Sequence, residues 1–258
     1  MIRGKFRIDH SKTFATLPNA PIAEAVLHWQ SAALVCLSEA ELTKQLVHFF
    51  PDYEVTQQHN LEAAFTTSPA GIELKQTTNW EGVRLTKYEG DKAAFVCQFK
   101  QDGVVVSRLA PYQDWSEFSL EALKFWKAFV ETGEPREIVC LSVRYISQIQ
   151  IHSIAESRDF IGEIDDPLAG IGLPADSFFH QDTVNLDELP YTINLVRAVQ
   201  PHSPSAKSLI VDILVSTKDG IADFSILPEK LMDLRFIKNE VFFKLMNDVE
   251  NKFGGKSK

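Results

Sequence analysis

The sequence predicts an α+β protein: an antiparallel sheet meander packed with helices, plus a smaller C-terminal β-β-α unit. Three observations predict this class. Short apolar segments separated by turn residues fill the middle of the chain, amphipathic helical segments flank them, and two further strand segments precede a long closing helix. The chain has 258 residues, of which 45% are hydrophobic and 24% charged, as is typical of a globular protein.

The first strand and helix follow a polar lead-in. "PIAEAVLHWQ" predicts a strand that begins after Pro21, with Ala25, Leu27 and Trp29 on one of its faces. "SEAELTKQLVHFF" then predicts a helix, because Ser38 and the glutamate three residues later form a capping-box pattern. Pro51 ends that helix.

Five short strands are predicted between residues 61 and 109, joined by the turn signals "SPAG", "NWEG", "EGDK" and "QDG". They are Leu61–Thr67, Ile72–Thr78, Val83–Tyr88, Ala93–Gln98 and Val104–Leu109. A helix follows, with Asp114 as its N-cap and Glu117 as the reciprocal partner. A long strand, Glu137–Ile151, comes next.

An acidic segment divides the chain. Residues 156–188 contain nine acidic residues and one basic residue. We therefore predict an N-terminal α+β subdomain (1–152), an acidic irregular connection (153–190) and a C-terminal β-β-α subdomain (191–258).

The closing helix is predicted to run from Pro228 to Phe253 and to be apolar on two sides. Phe236 and Phe243 project away from the main apolar stripe, which includes Leu231 and Leu234. Such a helix is either buried on both sides within the fold or offers one side to a partner.

Composition excludes several classes of function. The net charge of −9 argues against nonspecific nucleic-acid binding. The three separated cysteines form no disulfide or zinc-ribbon pattern, and the start of the chain has no apolar leader. The sequence also lacks a phosphate-binding loop, a dinucleotide fingerprint and a metal-ligand spacing. We expect a cytoplasmic protein with no cofactor, no metal and no membrane association.

One alternative is enzymatic. Asp52 follows a proline, and Glu73-Leu74-Lys75 lies twenty-one residues later on a predicted strand. This resembles the PD…(D/E)xK core of metal-dependent nucleases, in which two acids hold Mg²⁺ and the lysine orients the attacking water. A nuclease or phosphodiesterase using Asp52, Glu73 and Lys75 is the resulting hypothesis.

Two arginines lie within apolar strands. Arg108 and Arg144 need partners if they are buried, because an isolated buried charge is costly. Glu24 is the predicted partner of Arg144, in a structural ion pair. The alternative is a small-anion site at which Arg108 and Arg144 converge.

Four segments together resemble a sporadically distributed, uncharacterised family of bacterial and archaeal proteins of about this length. They are "LPNAPIAEA", "SRLAPYQDW", "LSVRYISQI" and "LRFIKNEVFF". The resemblance draws attention to a set of positions spread over nearly the whole chain. These are Pro21, Glu24, Arg108, Leu109, Pro111, Tyr112, Trp115, Arg144, Tyr145, Arg235 and Asn239. Ser147 departs from the pattern, which has asparagine there.

The resemblance implies no established activity. Its patchy distribution suggests an accessory locus, of a defence or toxin–antitoxin-like kind. The leading hypothesis from the sequence is a non-enzymatic protein-binding or regulatory component of a bacterial accessory locus. Its partner is then another protein or a second copy, bound in part through Phe236 and Phe243.

Overall fold

The computed structural model describes residues 5–68, 71–164, 169–173, 175–203 and 206–254, without the side chains of residues 61–78 and 169. The strands of this part of the chain are β1 (Ile22–Gln30), β2 (Glu54–Ser68), β3 (Gly71–Glu89), β4 (Lys92–Lys100), β5 (Gly103–Leu109), β6 (Cys140–Ile151), β7 (Phe178–Asn185), β8 (Tyr191–Ser203) and β9 (Ala206–Thr217). Its helices are α1 (Glu39–Phe49), α2 (Trp115–Gly133), α3 (Ile154–Ile161), α4 (Leu227–Leu245) and α5 (Val249–Phe253).

The strands form a nine-stranded antiparallel sheet in the order β2-β3-β4-β5-β1-β6-β9-β8-β7. The prediction of an α+β fold with an antiparallel sheet is therefore confirmed. The sheet runs through both predicted subdomains, because β6 pairs with β1 on one side and with β9 on the other.

The helices lie on one face of this sheet, and alternation along β1 shows why. Ala25, Leu27 and Trp29, which were predicted to share one face, are fully buried, and the Trp29 ring stacks on Trp126 of α2 at 5.9 Å. Strand residues alternate between the two faces, so Val26 and its odd-numbered neighbours cannot share one side. Val26 lies on the opposite face, which we call the open face, and is only partly buried.

Local signals place α1 and α2 as predicted. The Ser38 side chain accepts from the Glu41 amide while the Glu41 carboxylate accepts from the Ser38 amide, which completes the capping box. Asp114 caps α2 by accepting from the Glu117 amide at 2.9 Å. None of the helices in the described ranges combines the length and apolarity needed to cross a membrane.

One predicted turn is absent, because β3 runs continuously through "NWEG". Gly82 lies there with φ +155°, and a Cβ added to it would come within 2.0 Å of the Phe99 carbonyl oxygen. The glycine therefore allows close approach of β4 within the sheet, at a bulge where the β2–β3 register shifts. Four strands, not five, are found among the described residues between 54 and 109. The predicted turn "SPAG" includes residues 69 and 70, which lie outside the described residues.

The acidic connection is also more regular than predicted. It contains α3, capped by the Ser153 side chain, and the edge strand β7. The predicted closing helix is interrupted after α4, where Asp248 adopts a left-handed conformation with φ +52°. The Asn247 amide donates to the Phe160 carbonyl at that break, which ties the end of α4 to α3.

The chain order repeats itself across the centre of the sheet. In each half a central strand leads into a helix, then into antiparallel strands that return from the sheet edge, and finally into a long helix. The two central strands, β1 and β6, are direct neighbours, so the two long helices α2 and α4 lie over the middle of the sheet.

Substitution of Leu27 and Val26 by alanine tests whether the helices cover only one face of the sheet at β1. Leu27→Ala leaves a cavity under the helices and is expected to lower the free energy of unfolding by about 2–5 kcal/mol. Val26→Ala, on the open face, is expected to cost about 1 kcal/mol or less. Urea unfolding of both variants measures the difference, and equal costs would contradict the assignment of the two faces.

Candidate functional site

The two strand arginines do not converge. Arg108 pairs in register with Ala25 and Arg144 with Val26, and successive residues of β1 point to opposite faces. Arg108 is therefore on the helix-covered side and Arg144 on the open face. A joint anion site of Arg108 and Arg144 does not form in this fold.

Both arginines have carboxylate partners. Arg144 donates to Asp212 of β9 through Nε at 2.9 Å and Nη2 at 2.6 Å, and this bonding raises its pKa. The predicted partner, Glu24, contributes only a weaker charge interaction. Asp212 takes its place because β9, which the sequence did not place beside β6, lies next to Arg144 in the sheet.

Arg108 is fully buried. Its Nη2 lies 3.1 Å from Glu89, its Nε lies 3.9 Å from Glu117, and its guanidinium lies 4.8 Å from the Phe95 ring centroid. It therefore joins β5 to the end of β3 and to the first turn of α2. The predicted reciprocal role of Glu117 in the helix cap is replaced by this contact with Arg108.

The predicted nuclease residues are separated. Asp52 lies in the turn before β2, whereas Glu73 pairs with Thr66, twelve positions beyond Glu54 on that strand. Twelve positions correspond to about 40 Å of extended chain. The side chains of Glu73 and Lys75 lie outside the described residues. Among the side chains that are described, no group of three or more His, Cys, Asp or Glu could hold a metal ion.

Phe236 and Phe243 are covered from within the chain. The N-terminal segment, residues 5–21, packs Phe14 against both rings, at 5.7 Å and 5.3 Å, and Phe6 against Phe236 at 6.3 Å. Phe236 is only 7% exposed as a result. The surface that these residues were predicted to offer to a partner is therefore occupied by the protein's own N-terminal segment.

Residues from all four resembling segments meet in one cavity of about 160 Å³. The N-terminal segment, the corner between β5 and α2, strand β6 and helix α4 form its walls. Its lining includes Phe14, Leu17, Ile22, Tyr112, Gln113, Asp114, Trp115, Tyr145, Ser147, Arg235, Lys238, Asn239, Phe242 and Phe243. The corner contains a cis peptide bond between Ala110 and Pro111.

Two cations line this cavity on one face of α4. The Arg235 guanidinium lies 5.7 Å from the Trp115 ring centroid, and the Lys238 Nζ lies 3.8 Å from the Tyr145 ring centroid. Neither side chain has an ion-pair partner within the described residues. Asp114 is the carboxylate of the lining, and its Oδ1 is held by the α2 cap.

Burial and the neighbouring Arg235 lower the pKa of Lys238 to about 7. Both causes disfavour the ammonium form, since burial removes water from it and Arg235 repels it. The amine is therefore close to half-protonated at neutral pH.

A pair of tyrosine hydroxyls adds a neutral hydrogen-bonding group. The Tyr112 and Tyr145 oxygens are 2.8 Å apart, and burial raises the pKa of both phenols, that of Tyr112 to about 12. Both hydroxyls are therefore protonated at neutral pH. One of them donates to the other, which leaves the proton of the second free for a ligand.

A larger cleft of about 440 Å³, lined by Asp52, Tyr53 and three lysines, has a different character. Lys124 pairs with Glu121 at 2.6 Å and Lys127 with Glu131 at 3.8 Å. Its charges are largely satisfied by its own carboxylates, whereas those of the α4 cavity are not. We therefore take the α4 cavity as the candidate site.

Comparison with known proteins adds no assignment. No family model and no curated protein matches this chain. The family resemblance drawn from the sequence stays a prediction.

Sequence reasoning singled out Tyr112, Trp115, Tyr145 and Arg235 but missed Lys238. In the sequence alone, Lys238 looks the same as an ordinary solvated lysine of an amphipathic helix. A usable signal was present, since Arg235, Lys238 and Asn239 are spaced i, i+3, i+4 and so share one helical face.

Lys238→Met tests the depressed pKa. Below about pH 7, wild-type Lys238 is charged in both the folded and the unfolded protein, so the full cost of burying its charge lowers the stability of the folded state. As the pH rises towards 10.5, the buried amine loses its proton and this cost decreases. The variant is therefore expected to be more stable by on the order of 1–2 kcal/mol at pH 6, with the difference shrinking at alkaline pH.

Urea unfolding between pH 6 and pH 10 checks this expectation. The groups facing Lys238 are Arg235 of its own helix, Tyr145 of β6, and Tyr112 and Asp114 of the corner. Lys244→Met, at an exposed position of α4, is the matched control. A stability difference that does not depend on pH would contradict the depressed pKa.

Proposed function

We propose that this protein acts by binding and that the α4 cavity recognises the anionic group of its ligand. The observation that carries the proposal is the pair Arg235 and Lys238. Both line one cavity, and neither is neutralised by a carboxylate within the described residues.

Such a pair is unfavourable in the absence of an anion. Like charges three residues apart on a helix repel each other, and partial burial adds a desolvation cost. The lowered pKa of Lys238 expresses both effects. An anion placed between the two side chains removes the repulsion and favours the ammonium form. Relief of this repulsion contributes to the free energy of binding.

The surrounding groups favour an anion as well. The first turn of α2 begins at Trp115 in the cavity wall, and the N-terminal end of a helix carries a partial positive charge. The Tyr112–Tyr145 pair offers a hydroxyl proton. Donors thus face the cavity from α4, from the corner and from β6.

The hypothesis of a non-enzymatic regulatory protein is retained in a narrower form. The sequence predicts a partner that is another protein or a second copy of the chain. The present proposal requires that the ligand, whether a protein or a smaller molecule, present an acidic group to Arg235 and Lys238. The predicted contacts through Phe236 and Phe243 are not part of this proposal, because the N-terminal segment covers both rings.

The test is anion-dependent stabilisation of the full chain. The thermal midpoint is measured at pH 6.5 with acetate, benzoate or phosphate, at constant ionic strength. A ligand at a hundredfold excess over its Kd stabilises by about 2.7 kcal/mol, or about 5 °C for a chain of this size. The shift is expected to be lost in the double variant Arg235→Gln/Lys238→Met and kept in Lys244→Met.

The affinity is also expected to fall above pH 7, because an anion prefers the charged form of Lys238. If none of the anions raises the wild-type midpoint more than that of the double variant, the proposed function is wrong.

A further inference from the structure

The α4 cavity combines charged and aromatic side chains. Arg235, Lys238, Asn239 and Phe242 line it from α4, whereas Phe14 and Trp115 come from two other parts of the chain. A site with this composition suits an amphipathic ligand, in which an apolar body carries one anionic group. A bare inorganic ion would leave the aromatic side chains without a partner.

The volume of the cavity indicates the size of the ligand's apolar part. The cavity holds about 160 Å³, and a cavity of about 150 Å³ is enough to admit benzene. Phe14 closes the wall next to Phe243, with ring centroids 5.3 Å apart, and also lines a second cleft along α4. The volume is therefore enough for one ring.

The shape of the walls favours a planar ring. Trp115 is held edge-to-face against Phe118 at 6.2 Å, and Tyr112 is held in the same way against Tyr145 at 5.4 Å. These rings are fixed by their neighbours, so they offer preformed faces and edges to a further aromatic ring.

The cationic side chains favour a carboxylate. Arg235 is oriented by Trp115 through its π face, which leaves its planar row of N–H groups free in the described structure. That row matches the two coplanar oxygens of a carboxylate. Lys238 adds an ammonium group that lies above Tyr145. A tetrahedral phosphate ester would add atoms to a cavity that one ring already fills.

We propose that the α4 cavity binds a monocyclic aromatic carboxylate, with its ring against Trp115 and Phe14 and its carboxylate on Arg235 and Lys238. This inference rests on the proposed function, since it names the class of ligand for the same site.

The experiment is isothermal titration calorimetry on the full chain at pH 6.5. The probes are benzoate, cyclohexanecarboxylate, acetate, inorganic phosphate and benzyl alcohol. Benzoate is expected to bind with a stoichiometry of one and at least about tenfold more tightly than each other probe, because it alone combines a planar ring with a carboxylate.

Three variants locate the bound molecule. Arg235→Gln and Lys238→Met are each expected to weaken benzoate about tenfold, and Trp115→Leu is expected to weaken benzoate more than acetate. Lys244→Met is expected to leave every affinity unchanged. Near-ultraviolet circular dichroism verifies that each variant is folded. If Arg235→Gln fails to fold, the conservative variant Arg235→Lys takes its place and is expected to retain part of the affinity.

Two results would overturn the ligand class while leaving anion binding intact. One is acetate or phosphate binding as tightly as benzoate, and the other is cyclohexanecarboxylate doing so. Benzoate binding that does not depend on Arg235 and Lys238 would place the ligand elsewhere and overturn the assignment to this cavity. If no anion binds at all, the proposed function fails together with this inference.

Discussion

Antiparallel pairing of β1 with β6 is the constraint on which the rest of the structure depends. It joins two halves of similar chain order into one sheet and places β5 and β9 on either side of the central pair. Each of these strands feeds a long helix, so α2 and α4 necessarily lie over the same part of the sheet. The cavity lies between the start of α2 and the middle of α4, with Tyr145 of β6 at its wall.

Charge pairing separates structural cations from those of the site. Arg144 and Arg108 lie in strands and contact Asp212, Glu89 and Glu117. Both join neighbouring elements, and a buried arginine without such partners would be destabilising. Arg235 and Lys238 lack carboxylate partners within the described residues, and they lie beside a cavity. The difference in pairing, more than the number of charges, distinguishes the candidate site from a structural network.

The N-terminal segment has two structural roles. Its aromatic residues cover the outer side of α4, which explains how a helix that is apolar on two sides is accommodated in one chain. Phe14 and Leu17 also contribute to the cavity wall. Contacts from His10 to Asp233 and from Lys12 to Glu240 hold the segment along α4. Formation of the site is thereby coupled to the packing of residues that precede the first strand.

Local sequence by itself determined the elements whose signals lie within a few residues. Ser38 and Asp114 predicted the starts of two helices, and alternation around Leu27 and Trp29 predicted which residues share one face of β1. The same reasoning failed at Gly82, because a glycine required by a neighbouring strand looks the same as a glycine in a turn. It failed again for Arg144, since Asp212 is sixty-eight residues away in sequence. Only the tertiary structure decided that Tyr112, Tyr145, Arg235 and Lys238 line one cavity, because strand order and helix packing, which are long-range, bring them together.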